Sequence, residues 1–141
     1  GAAAAEMVRA ARPGGTVALT SWRPSGPINA VGGLIFKRLD RGGAEPRQWG
    51  DPDWAAATLA AAGAGDARTE EAELVFTAES PEVWWEDQAA NHPVWLWARR
   101  QLGEAQWSEV RAEAVAALEE ANEDPAAFRT TSRYLLVAAS R

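Results

Sequence analysis

A single histidine, His92, stands immediately before Pro93. Histidine is the residue type that exchanges protons near neutral pH, so a His92 facing a cavity would act as a general base; in that position a capping or packing role is the plain alternative. The carboxylates sit side by side in sequence rather than converging. Glu86-Asp87 and Glu119-Glu120 are helical neighbours, which do not face each other, so neither makes an acid–base couple. Asp51 and Asp53 open a helix, where first-turn acids need no metal to explain them. Gly63-Ala64-Gly65-Asp66 resembles a phosphate loop in composition only. It follows a helix and precedes a strand, the reverse of the order that points helix N–H groups at an anion, and reads as a cap and turn.

The other candidates are aromatic. Eight tryptophans are a heavy load for 141 residues. Trp22 ends a β-prone run, on the side where open α/β sheets bind ligands. Trp84, Trp85, Trp95 and Trp97 lie on two short helical segments meeting at Pro93. An amphipathic helix buries one stripe, and Trp84-Trp85 is wider than a stripe. Either both flanks are covered or one indole lines an apolar pocket.

Composition limits what surrounds these residues. With 47% apolar and 24% charged residues the chain folds around a core, and its length suits one domain. Without cysteine it has no disulfide framework, thiolate zinc site or cysteine nucleophile, which makes the cytoplasm the default compartment. The net charge of −6 speaks against nucleic acid as the main partner, and no apolar run reaches the length of a membrane helix. Charge is uneven: Gly1–Gly50 has seven basic and three acidic side chains, Asp51–Arg141 seven and seventeen. The second stretch is read as a solvated acidic helical face, with steering of a cationic partner as the alternative.

The positioning elements follow from local signals. Ala2–Ala11 is an Ala-rich helix ended by Pro13-Gly14-Gly15. Thr16–Trp22 is a strand with too little polarity for a surface position, suited to cover on both faces. Arg23–Gly50, rich in Gly and Pro, reads as a lid, a binding loop or a mobile segment, with room for one short helix in Ile28–Leu39. Asp51-Pro52 starts a helix that stops at Gly63. Asp66–Ala78 is a strand, so that strand, helix, strand form a right-handed βαβ unit. Ser80-Pro81 opens a helix ending near Asn91-His92. Pro93 opens another closed by Gly103, and Glu104–Asn122 carries the stripe Trp107, Val110, Ala114, Ala117, Leu118, Ala121. Phe128–Ala139 is the last strand, with Tyr134–Val137 as its buried centre.

Glu6–Gly15 followed by Thr16–Trp22 resembles the segment before and through the fifth strand of class I S-adenosylmethionine-dependent methyltransferases, in the small-molecule group similar to the ubiquinone/menaquinone-biosynthesis enzymes. Trp49-Gly50-Asp51-Pro52 before a helix and Ser80–Trp85 after a strand are similar to features of the same group. Ala11 departs from the pattern, which usually has a larger aliphatic residue there. The resemblance implies an α/β fold: the C-terminal portion of a Rossmann-like sheet, strands five to seven with the last antiparallel, and substrate-side helices inserted over about 80–124. The whole of 1–141 would then be a single partial domain. The segments with which the family holds the cofactor, including the glycine-rich turn after the first strand, have no counterpart in this sequence. The chain also starts at Gly1, and the expectation is a cut end.

Carried over residue by residue, the resemblance implies substrate contacts at Trp22, Trp49, Trp84 and Trp85, with His92 taking a proton from an O–H or N–H acceptor. It implies S-adenosylmethionine as cofactor of the complete enzyme, bound by no residue of this chain and without a metal. The implied partners are a small-molecule methyl acceptor, but neither nucleic acid nor membrane. A fifth strand without its fourth leaves an open apolar edge. That edge implies a homo-oligomer or a partner supplying the N-terminal half. The alternatives are a non-catalytic interaction module that pairs or swaps through that edge, and a small-ligand binder of unrelated α+β fold.

Overall fold

The computed structural model describes residues 1–39 and 48–141. Its elements are α1 (Ala2–Ala10), β1 (Thr16–Trp22), α2 (Pro27–Arg38), a 3-10 turn (Gln48–Gly50), α3 (Pro52–Ala61), β2 (Ala67–Ala78), α4 (Pro81–Asn91), α5 (Pro93–Glu120) and β3 (Phe128–Ser140). Local chemistry accounts for most of these boundaries. Asp51 Oδ1 accepts from the Trp54 N–H at 2.9 Å and Ser80 Oγ from the Val83 N–H at 3.3 Å, each with Pro at the first helical position. Gly103 breaks α5 with φ 75° and ψ 167°, a conformation that suits glycine. The part of the expected loop over 40–47 lies outside the described residues.

The fold is mixed α/β, with an antiparallel sheet in the order β1-β3-β2. β1 pairs with β3 from Thr16↔Ser140 to Trp22↔Tyr134. β1 and β2, each antiparallel to β3, run parallel to one another and are joined through α2 and α3 by a crossover, but they are not neighbours, because β3 lies between them. Tyr134–Val137 is not a continuously buried run: Leu135, Val137 and Ala139 are buried and Leu136 is exposed, while before Arg133 the buried positions are Phe128, Thr130 and Ser132, so the alternation of β3 changes phase at Arg133–Tyr134. β1 is not covered on both faces either. Only Val17 is fully buried, since β1 stands at an edge and its alternate residues Thr16, Ala18 and Thr20 are exposed. In β2, the apolar Leu74 and Val75 are 45% and 41% exposed.

The chain divides into two compact units. The first comprises Gly1–Pro24, Glu45–Leu74 and Arg133–Arg141. Its core joins Val17, Leu135, Val137 and Ala139 of the sheet to Ala4 and Val8 of α1 and Ala55 and Leu59 of α3. The second comprises Ser25–Ala44 and Val75–Ser132. In it α5 packs on both α2 and α4, and the first half of β3 contributes Phe128, Thr130 and Ser132 to the interior. Arg38 of α2 binds Glu109 at 2.7 Å and also Glu113, and Glu86 of α4 binds Arg111 at 2.6 Å. No described helix is long and apolar enough to cross a membrane.

The turn into β3 is held by two side chains. Asn122 Nδ2 donates to the Asp124 and Ala127 carbonyls at 2.8 and 2.7 Å, while its Oδ1 accepts from the Arg129 N–H at 2.9 Å. Glu123 accepts from the Thr131 hydroxyl at 2.9 Å and the Thr131 N–H at 2.8 Å. The Thr131 hydroxyl bond is the main reason the Glu123 carboxyl titrates below the ordinary glutamate range, with the Thr131 N–H and Arg129 acting in the same direction. A carboxyl lowered in the folded state stabilises it above the unfolded pKa and loses that contribution as pH falls through the folded one. The Thr131 amide is therefore expected to lose hydrogen-exchange protection, corrected for intrinsic rate, as pH falls below about 4. Glu123→Gln should flatten that dependence; an unchanged profile in the variant would show that another group controls the turn.

Candidate functional site

At the end of β1 a cavity of about 380 Å³ is lined by Thr20, Ser21, Trp22, Leu74 and Tyr134, all in the first unit. The antiparallel register places Trp22 directly opposite Tyr134, and their rings meet edge to face with centroids 6.0 Å apart. Both residues are half-buried. Leu74 supplies an exposed apolar side and Thr20 and Ser21 supply hydroxyls. Such a surface suits a flat, largely apolar molecule carrying a hydrogen-bonding group.

Beside it, Arg23 at the end of β1 and Arg133 within β3 are tied by charge to β2. Arg23 Nε lies 3.0 Å from Glu71, and Arg133 lies 3.6 Å from Glu71 and 3.1 Å from Glu73. Arg23 also donates to the Gly50 carbonyl. Gly50 is buried against the Trp22 carbonyl, so closely that a Cβ there would come within 2.3 Å of that oxygen. The 3-10 turn thereby holds the end of β1 and with it the indole of Trp22.

The structure separates the residues proposed from sequence. Trp22 lines the cavity. Trp49 is half-buried, edge to face with Trp54 at 5.0 Å, and packs on the first unit's core. Trp84 and Trp85 are 5% and 0% exposed inside the second unit. Of the two ways to accommodate adjacent indoles on α4, covered flanks are what this unit provides. Trp84 meets Phe76, Trp95 and Phe128, while Trp85 meets Trp95 and Trp107. His92 is exposed at the junction of α4 and α5, makes no side-chain cap bond, and has its ring 5.8 Å from that of Trp95.

Tyr134, Leu74, Thr20 and Ser21 were not singled out from sequence as site residues. The available signal was register: an antiparallel last strand paired with β1 sets the chain's only tyrosine near Trp22. The Gly63–Gly65 turn has its amides engaged within the fold. Gly63 N–H donates to Ala60 at 2.9 Å, Ala64 N–H to Leu59 at 3.1 Å, and Gly65 N–H to Ser140 at 2.7 Å. Among the described residues no group of three or more acidic or histidine side chains is placed to hold a metal ion. No family model matches this chain, and no curated protein matches it.

Proposed function

We propose that this chain is the substrate-side part of an S-adenosylmethionine-dependent methyltransferase acting on a small molecule. The observation that supports it most is the sheet. The last strand runs antiparallel, and α4 and α5 are inserted before it, as the resemblance of the Glu6–Trp22 segment implies. The Gly63–Gly65 turn does not fit the cofactor, because its amides are spent on internal hydrogen bonds and offer S-adenosylmethionine no cradle. What these residues contribute is acceptor binding. Trp22 and Tyr134 together form an aromatic wall for a planar ring, Leu74 adds an apolar side, and Thr20 or Ser21 orients a polar substituent. Methyl transfer depends on such alignment more than on strong acid–base chemistry.

The single tyrosine makes the test site-specific. With 3-fluorotyrosine at Tyr134, 2-naphthol is expected to shift the one fluorine resonance, and Trp22→Ala to weaken that binding by about tenfold. Calorimetry with S-adenosylmethionine is expected to show no heat of binding to this chain. An unmoved fluorine signal would remove the cavity from the proposal; cofactor binding would overturn the division of labour.

A further inference from the structure

The interior of the second unit holds two hydroxyls without a hydrogen-bond partner. Thr130 and Ser132 of β3 are 0% and 1% exposed, and neither hydroxyl oxygen has a partner among the described residues. They stand two residues apart on one face of the strand. A polar group buried in this way ordinarily finds a partner, and leaving it unpaired is costly.

Beside Ser132 lies the start of α2. The residue in the N-cap position is Gly26, whose φ of 114° falls in the region that favours glycine. A Cβ at Gly26 would have one heavy atom within 4 Å outside the adjoining residues, the Ser132 Oγ at 3.7 Å. With no side chain at Gly26, that hydroxyl faces the N-terminal end of a 12-residue helix. The Ala30 N–H makes the first bond within the helix, to the Gly26 carbonyl at 3.0 Å. Pro27 has no N–H to offer, and no side chain of the N-cap residue caps the amides that follow, beginning with that of Ile28. Gly26 is exposed and Ile28 half-buried, so this end of α2 opens to solvent with Ser132 beneath it. Gly26, Ile28 and Ser132 all belong to the second unit.

We propose that the start of α2 and the Ser132 hydroxyl bind the carboxylate of a small organic acid. One carboxylate oxygen approaches Gly26 and accepts from the Ser132 O–H; the other accepts from the Ile28 N–H. A side chain at position 26 would stand in that approach. The charge is met by the helix itself, whose N-terminus carries roughly half a positive charge. The cationic side chains of α2 are at its other end, Lys37 and Arg38, and Arg38 is bound to Glu109 and Glu113. Neutral donors and a helix end suit a monoanion with two acceptor oxygens, whereas a phosphate dianion is better served by an Arg or Lys. The inference goes beyond the functional reading and does not depend on it, since the Trp22–Tyr134 cavity belongs to the first unit.

Sodium acetate is the probe, titrated into the isotope-labelled 141-residue chain against sodium chloride at equal ionic strength. The Ile28 amide resonance is expected to shift along a saturable curve with acetate and not with chloride. Ser132→Ala is expected to weaken that binding by about tenfold. Without acetate the same variant should unfold at no lower temperature than the parent, because it loses a buried hydroxyl that has no partner. Thr130→Val removes the other unpaired hydroxyl of β3 at nearly constant volume and should leave the acetate response unchanged. Sodium phosphate is expected to bind more weakly than acetate. The proposal is overturned by an Ile28 resonance that does not saturate, or by a Ser132→Ala variant that binds acetate as the parent does or is less stable in its absence. A Thr130→Val variant that loses the response equally, or tighter binding of phosphate, overturns it as well.

Discussion

Trp85→Ala is expected to lower the unfolding free energy by about 3–5 kcal/mol, a large part of the 5–15 kcal/mol typical of a domain. Trp85 is fully buried, and its ring centroid lies 4.8 Å from that of Trp95 and 5.2 Å from that of Trp107. Truncation removes the largest side chain of the second unit's interior and leaves a void between two indoles held by different stretches of α5. Trp95 lies before the Gly103 break and Trp107 after it, so the two halves of that element lose a shared contact. The indole Nε1 has no hydrogen-bond partner among the described residues. Trp85→Phe keeps most of the ring and deletes a buried, unpaired donor, and is expected to cost under about 1.5 kcal/mol. Urea unfolding monitored by circular dichroism measures both. Equal losses for Ala and Phe would mean that the indole N–H, not the packed ring, stabilises this core.

Gly50→Ala is expected to cost about 1–3 kcal/mol and to abolish the 2-naphthol response at Tyr134. The added methyl would stand 2.3 Å from the Trp22 carbonyl oxygen and 3.2 Å from its carbon. Both are backbone atoms in β1, which cannot yield as a flexible side chain would. Relief requires the 3-10 turn or the end of β1 to move, and either displaces Trp22 from Tyr134. For a chain of this length the loss corresponds to a fall in Tm of roughly 2–4 °C per kcal/mol. Gly32→Ala and Gly33→Ala in α2 are the matched controls, since a Cβ at either meets nothing within 4 Å. Both should stabilise by up to about 1 kcal/mol through helix propensity. If Gly50→Ala left the fluorine response intact, the turn would not be what positions Trp22.

Much of the local structure was legible because its causes lie within a few residues. Asp51-Pro52 and Ser80-Pro81 open helices where a side-chain oxygen and a fixed φ stand together, and Gly103 interrupts α5 at the position expected. The three strands begin and end within about two residues of their expected limits, as assignments of this kind usually do. The stripe on the second half of α5 is buried at Trp107, Val110, Ala114 and Leu118, with Val115 added beside it.

Strand neighbours and the fate of the aromatic residues were decided elsewhere. An apolar run such as Thr16–Trp22 has the same appearance at the centre of a sheet and at an edge. Only pairing with β3 on one side shows which it is. Leu74-Val75 is apolar in sequence, and its strand lies at the other edge and leaves both half exposed. Trp22 and Trp84 are chemically alike. One reaches a cavity opposite Tyr134, the other packs among Phe76, Trp95 and Phe128, and the difference comes from residues more than a hundred positions away in the first case and as few as eight in the second. From sequence alone come the helix and strand content, the absence of cysteine chemistry and the rejection of Gly63–Gly65 as an anion loop, since each rests on composition or on order along the chain. Tertiary structure alone made β3 the central strand and joined Trp22 to Tyr134, because non-local pairing energies are set by partners that local propensity does not specify.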